Sequence, residues 1–217
     1  MKKQLNEIKR MQQLAGIITE SQVNEISNTQ KEIEQYIKDG SEGDLDLSDT
    51  KITQLPDNLK VGGSLILRNT PITTLPSNLS VKGHLDLDDT KITQLPDNLK
   101  IGGSLYLSDT PITQLPNNLK IYGSLNLNRT KITSLPSNLN INGYLGLRDT
   151  PITSLPSNLS VGIDLDLRGT KITSLPSDLK VGDELNFRNT PASKKYKKYD
   201  KEEIRKMVAK VGGEIYF

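Results

Sequence analysis

From Leu45 onward, apolar residues recur as Leu-x-Leu pairs at a constant interval of twenty residues. The pairs are Leu45/Leu47, Leu65/Leu67, Leu85/Leu87, Leu105/Leu107, Leu125/Leu127, Leu145/Leu147 and Leu165/Leu167, and Leu185/Phe187 opens an eighth copy. In the copy from Gly103 to Tyr122, the order Ser104, Leu105, Tyr106, Leu107, Ser108 has a period of two. This predicts a short strand with its leucines inward and its other side chains outward. Ile112 turns inward again, and Leu115-Pro116 begins an extended limb, because proline fixes its own φ and pushes the residue before it toward β or polyproline geometry. Leu119 and Ile121 complete the inward set, and Gly102-Gly103 form the tight corner into the strand. A fixed period of this length predicts a solenoid, in which each coil buries its apolar residues only against its neighbours.

One position alternates along the array: Lys51, Pro71, Lys91, Pro111, Lys131, Pro151, Lys171, Pro191. The unit is therefore forty residues, two coils, and the alternation spaces the lysines by about 9.6 Å instead of about 4.8 Å. Before the array, Leu5, Ile8, Met11, Leu14 and Ile18 fall at helical spacing, and Thr29-x-x-Glu32 reads as a capping box opening a second helix that runs to Asp39 and stops at Gly40. After it, Ala192 replaces the expected Ile, a basic segment runs from Lys194 to Lys201, and Asp200 with Glu203 opens a helix through Ile204 and Met207. Val211-Gly212-Gly213-Glu214-Ile215-Tyr216-Phe217 then repeats the coil phrase as a ninth strand. The expected organisation is a helical leader over 1–28, a capping helix over 29–42, a solenoid of seven full repeats plus an eighth strand over 43–191, and a C-terminal cap over 192–217.

The phrase LxLxxTxITxLPxNL resembles the leucine-rich repeat, in particular the short twenty-residue bacterial kind with Leu-Pro pairs on the convex side. The resemblance implies an α/β repeat fold: a single right-handed solenoid with one parallel β-sheet, an extended convex side and short helical caps. Two features depart from the family. Thr50, Thr70, Thr90, Thr110, Thr130, Thr150, Thr170 and Thr190 stand where the family has an asparagine that bonds neighbouring backbones. The run before each strand, as in Val61-Gly62-Gly63-Ser64, also carries one residue more than the usual LxxLxL spacing. Some bacterial effectors join such repeats to a ubiquitin ligase domain built on a catalytic cysteine, and this chain has no cysteine. The stretch from Glu7 to Gln22 resembles leaders of proteins encoded by marine tailed phages. In some tailed phages a prohead protease cuts after an Ile-x-Glu triplet, the form of Ile18-Thr19-Glu20. A plain helical leader and a processed one both fit.

Composition narrows the chemistry. The 217 residues carry a net charge of +2, an aromatic fraction of 4% and no cysteine, which excludes disulfides, thiolate metal sites and a cysteine nucleophile. No apolar run of membrane-spanning length occurs, and the residues after Met1-Lys2-Lys3 lack the apolar core of a secretory signal. The expected location is the cytoplasm of a host cell, or a virion. His84 is the only histidine, so neither a metal site nor a histidine-based triad is expected. Asp44, Asp46, Asp86 and Asp88 share the outward face, where paired carboxylates serve acid–base chemistry or calcium in a pocket and are ordinary solvated groups on an open sheet.

The expected function is therefore that of a non-enzymatic, protein-binding scaffold without cofactor, presenting a concave or flat strand face. Tyr106, Asn126, Tyr144, Arg148, Arg168 and Arg188 are its candidate contact residues, because tyrosine and arginine dominate interface energetics. Arg148, Arg168 and Arg188 lie in three successive coils and would make a basic stripe. Lys194 to Lys201, interleaved with Tyr196 and Tyr199, reads as a solvated linker more readily than as a nucleic-acid site. Two alternatives remain: a structural component of a phage particle with a removable leader, and ice binding through the threonine ladders.

Overall fold

A computed structural model describes residues 10, 16, 19–137, 139–207 and 210–217. Two-residue strands beginning at Leu45, Leu65, Leu85, Leu105, Leu125, Leu145, Leu165, Leu185 and Ile215 pair in chain order into a nine-stranded parallel sheet. The register matches equivalent residues, Leu45 with Leu65 and Leu105 with Leu125, ending with Leu185 against Ile215. Beyond the strands the ladder continues: Leu105 N donates to Ser124 O and Leu107 N to Asn126 O, both at 2.9 Å. The chain is a parallel β-solenoid of about seven turns.

The expectation of a single sheet is corrected by a second ladder on another side of the coil. Lys60–Val61, Ser80–Val81 and Lys100–Ile101 form a three-stranded parallel sheet, and Asn140–Ile141, Ser160–Val161, Lys180–Val181 and Lys210–Val211 a four-stranded one. These stretches carry inward β-branched residues that pair as readily as the Leu-x-Leu strand does. The α/β repeat class is corrected too. The seven twenty-residue coils contain no helix among the described residues, because the Leu-Pro pair in each holds that limb extended; only the last, longer coil, without that pair, carries helices.

Between the ladders lies one continuous hydrophobic cluster, in which Leu105, Leu107 and Ile112 are at 0% exposure and their equivalents in the other coils are buried. The repeated threonines close turns inside their own coil. Thr110 Oγ1 donates to Leu107 O at 2.7 Å, and Thr70, Thr90, Thr130, Thr150 and Thr170 repeat the bond at the same distance. The residue before each threonine has positive φ, as at Asp89 (58°), Asp109 (59°) and Asp149 (56°). Aspartate and asparagine tolerate that conformation better than other side chains, which accounts for the Asp-Thr and Asn-Thr pairs of the repeat. Gly169 (φ 70°) and Arg129 (φ 57°) take the place in two coils, and Arg129 reaches back to both oxygens of Asp109, at 2.7 and 2.5 Å.

The Lys/Pro alternation has a hydrogen-bonding consequence. Lys91 N donates to Ile72 O and Lys131 N to Ile112 O, both at 3.1 Å, and Lys171 N to Ile152 O at 3.0 Å. Pro71, Pro111 and Pro151 have no N–H to donate, so the bond spans every second junction between coils. Two coils are thus the hydrogen-bonding repeat as well as the sequence repeat.

At the N-terminal end, helix α1 spans Glu20–Lys38, so the expected helix start at Thr29 is corrected. The N-cap is Thr19, in a reciprocal capping box with Gln22, and it belongs to the triplet that matches the processing site. Thr29 lies inside the helix, where its hydroxyl donates to Glu25 O at 3.1 Å. Thr19-x-x-Gln22 satisfies the capping-box rule ten residues before Thr29-x-x-Glu32, and the helix starts at the earlier of the two. Ile33 enters the hydrophobic cluster, and the Tyr36 hydroxyl lies 2.9 Å from the carbonyls of both Ser41 and Gly43 while accepting from Gly62 N at 3.1 Å. The expected helix over residues 2–18 falls almost wholly outside the described residues.

At the other end, helices α2 (Pro191–Tyr196) and α3 (Lys201–Met207) precede the last strand pair. Asp200 and Glu203 bond each other's backbone N–H, at 2.8 and 2.9 Å. The basic segment is not a solvated linker. Tyr196 is buried edge-on against Phe187 with ring centroids 5.9 Å apart, and Tyr199 packs partly into the cluster.

Candidate functional site

Three columns of side chains cover the nine-stranded sheet, and the coil stacking decides which of them are free. In the column before the first leucine, side chains bond the backbone of the next coil. Asp44 Oδ1 accepts from Ser64 N (2.6 Å), Ser64 Oγ from His84 N (3.2 Å) and His84 Nδ1 from Ser104 N (2.8 Å). Ser104 Oγ accepts from Ser124 N (2.9 Å) and Ser124 Oγ from Tyr144 N (3.0 Å). This ladder performs the inter-coil bonding that the threonines do not. His84 belongs to it as the tautomer with its proton on Nε2, since an accepting Nδ1 carries none.

The outward carboxylates are also tied to the backbone. Asp46 Oδ1 accepts from Ser48 N and Asp86 Oδ1 from Asp88 N, each at 3.0 Å, and Asp88 Oδ1 accepts from Ser108 N at 2.6 Å. Arg68 pairs with Asp86 at 2.8 Å and lies 3.9 Å from Asp88. No metal-holding group of histidine and carboxylate side chains occurs among the described residues.

Burial first, and then the neighbouring Asp86, pushes the Asp88 carboxyl up to about 6 from its ordinary 3.8. The folded chain thus holds this proton more tightly than the unfolded chain. Its contribution to stability is complete below about pH 4 and is lost as pH rises through about 6. Asn128 shows the neutral solution at the same position, accepting from Arg148 N at 2.8 Å. Asp88→Asn is therefore expected to raise stability at pH 7 by about 1 kcal/mol after solvent screening, or some 2–4 °C in thermal midpoint. Thermal unfolding at about pH 3.5, where both forms are neutral, should show no such gain.

The six candidate contact residues share this face but are not equally available. Tyr106 is half-buried, edge-on to His84 with ring centroids 6.2 Å apart. Asn126 Oδ1 accepts from Asn128 N at 3.2 Å. Tyr144 lies over Gly146, where a Cβ would stand 2.6 Å from its hydroxyl, and burial raises its phenol. The arginine stripe is not an open basic surface. Arg148 Nε pairs with Asp149 at 3.1 Å, and Arg168 closes on both oxygens of Asp166, its shortest contact being 2.6 Å. Because Asp166 is only 6% exposed, reversing Arg168 would set two carboxylates together in a buried site and cost folding stability. Arg188 stacks over the Tyr216 ring at 4.6 Å and has no carboxylate partner among the described residues.

The threonine ladders divide likewise. Thr70 and its buried equivalents have their hydroxyls committed to Leu carbonyls, whereas Thr53, Thr73, Thr93, Thr113, Thr133, Thr153 and Thr173 are exposed on the Leu-Pro limb. The sequence reading passed over a further set on the second ladder: Lys60, Lys82, Lys100, Lys120 and Tyr122 line one groove. Its sequence signal is the Asn-Leu-Lys triplet that closes several coils.

No helix among the described residues is long and apolar enough to cross a membrane. Comparison of the chain with protein-family models and with curated proteins found no match.

Proposed function

We propose that the chain is a non-catalytic, leucine-rich-repeat-like scaffold that presents its nine-stranded face to a protein partner, with a right-handed coil and end helices that close the stack. The carrying observation is the contrast between core and face. The inward leucines repeat almost unchanged, while the outward strand position runs Asp46, Ile66, Asp86, Tyr106, Asn126, Gly146, Asp166, Asn186, Tyr216. A constant scaffold with a changing face supports recognition, because the core needs nothing from the outward side chains.

Arg188 and Tyr106 are the contacts of choice, being large side chains that can meet a partner without breaking a carboxylate pair. The test is affinity capture from a lysate of the native source, comparing wild type with the double variant Tyr106→Ala/Arg188→Glu and with a Lys51→Glu control. A protein retained by wild type and by the control but lost from the double variant supports the reading. Equal recovery with all three contradicts it.

A further inference from the structure

The second ladder breaks at one coil. Lys100 N donates to Leu79 O at 3.3 Å and Gly102 N to Val81 O at 2.9 Å, but the backbone N–H groups of Lys120 and Tyr122 make no bond to the coil before them. Close approach matters here: a Cβ at Gly102 would lie 2.0 Å from Lys82 O, and Tyr122 occupies the equivalent position. Lys82 sits in the same column with its bond to Val61 O intact at 2.9 Å, so it is the whole run from Lys120 to Tyr122 that stands off. Tyr122 is left 61% exposed.

Beside this break runs a groove of about 1080 Å³. Lys60, Lys82, Lys100 and Lys120 line it against a single carboxylate, Asp97. None of the four lysines forms an ion pair among the described residues, whereas Arg68, Arg148 and Arg168 on the nine-stranded face are paired and Arg188 there stacks on Tyr216. Four lysines without ion pairs thus stand against one carboxylate in the groove, beside the exposed ring of Tyr122.

We propose that this groove is a second docking surface, which takes an extended acidic segment of a polypeptide. Lysines on successive coils offer carboxylates point charges along the stack, and a column of asparagine amides offers the donor and acceptor that a peptide backbone requires. A nucleic acid fits less well: the groove has one aromatic ring where stacking of successive bases needs several, and no arginine fork for phosphate.

Fluorescence anisotropy with labelled decaglutamate, and with ten-residue oligothymidylate in parallel, tests the proposal on the full chain. Decaglutamate should bind at low salt and weaken as salt rises. Lys100→Glu/Lys120→Glu should weaken it about tenfold or more, Lys100→Gln/Lys120→Gln about threefold, and Lys51→Glu/Lys91→Glu, outside the groove, less than about twofold. Circular dichroism establishes that each variant is folded, and the glutamine pair keeps the test valid if the reversed pair is not. Equal losses at the two glutamate pairs, tighter binding of the oligonucleotide, or no decaglutamate binding at low salt would each overturn the proposal. Arg188→Glu should leave decaglutamate binding unchanged, so failure at the groove is separate from failure of the strand-face reading.

Discussion

Phe187→Ala is expected to destabilise the protein by about 3–5 kcal/mol, the range for truncating a fully buried aromatic side chain. Phe187 is 0% exposed and holds two other rings. Phe217 stacks on it at 5.8 Å with planes 23° apart, and Tyr196 meets it edge-on at 85°. These contacts join the eighth coil to α2 and to the last strand, so one truncation opens a cavity shared by three segments. Because each coil touches only its neighbours, the loss should begin at the C-terminal end. Hydrogen exchange should show amides of Leu185–Asn186 and Ile215–Tyr216 losing protection before those of Leu65–Ile66. Uniform loss across the chain would mean that the end does not open independently.

Leu127→Ala is expected to cost about 2–5 kcal/mol, with a different signature. Leu127 is fully buried in the middle of the array, and its coil lies where the second ladder is already interrupted between Lys100–Ile101 and Asn140–Ile141. The nine-stranded sheet is the only ladder that crosses this region among the described residues. A cavity here weakens the core and the nine-stranded ladder where the second ladder gives no support. Urea unfolding should therefore become broader, with a smaller m-value, as the halves begin to unfold separately. A shifted but equally steep transition would show that coupling across the break does not depend on this core.

Much of this architecture was legible because its rules are local. The twenty-residue interval places Leu45, Leu65 and Leu85 in register, and the structure pairs them so. The likeness of Val211–Phe217 to the coil phrase has its counterpart in the pairing of Ile215 with Leu185 across an insertion of two short helices. What escaped was whatever depends on the neighbouring coil. An isolated Thr110 offers both a donor and an acceptor, and only the fold shows that it serves Leu107 in its own coil while Ser104 and His84 bond across. Likewise Arg168 looks free in a list of outward positions, yet Asp166, two residues earlier, points the same way and closes on it. The break at Lys120–Tyr122 has no local signal, since Lys82 keeps its bond to Val61 O in the same column as Tyr122.

Distances between spin labels measure the stacking itself, in a chain whose lack of native cysteine makes labelling specific. Ser48, Arg148 and Arg188 occupy the same outward column, separated by five and seven coils from the first. Double electron–electron resonance on the pair Ser48→Cys/Arg148→Cys should give a distance near 24 Å, and on Ser48→Cys/Arg188→Cys one near 34 Å, a gain of about 4.8 Å per coil. Distances in that proportion follow from parallel, in-register coils. A gain near 10 Å per coil, or no gain between the two pairs, would contradict the solenoid on which every other conclusion rests.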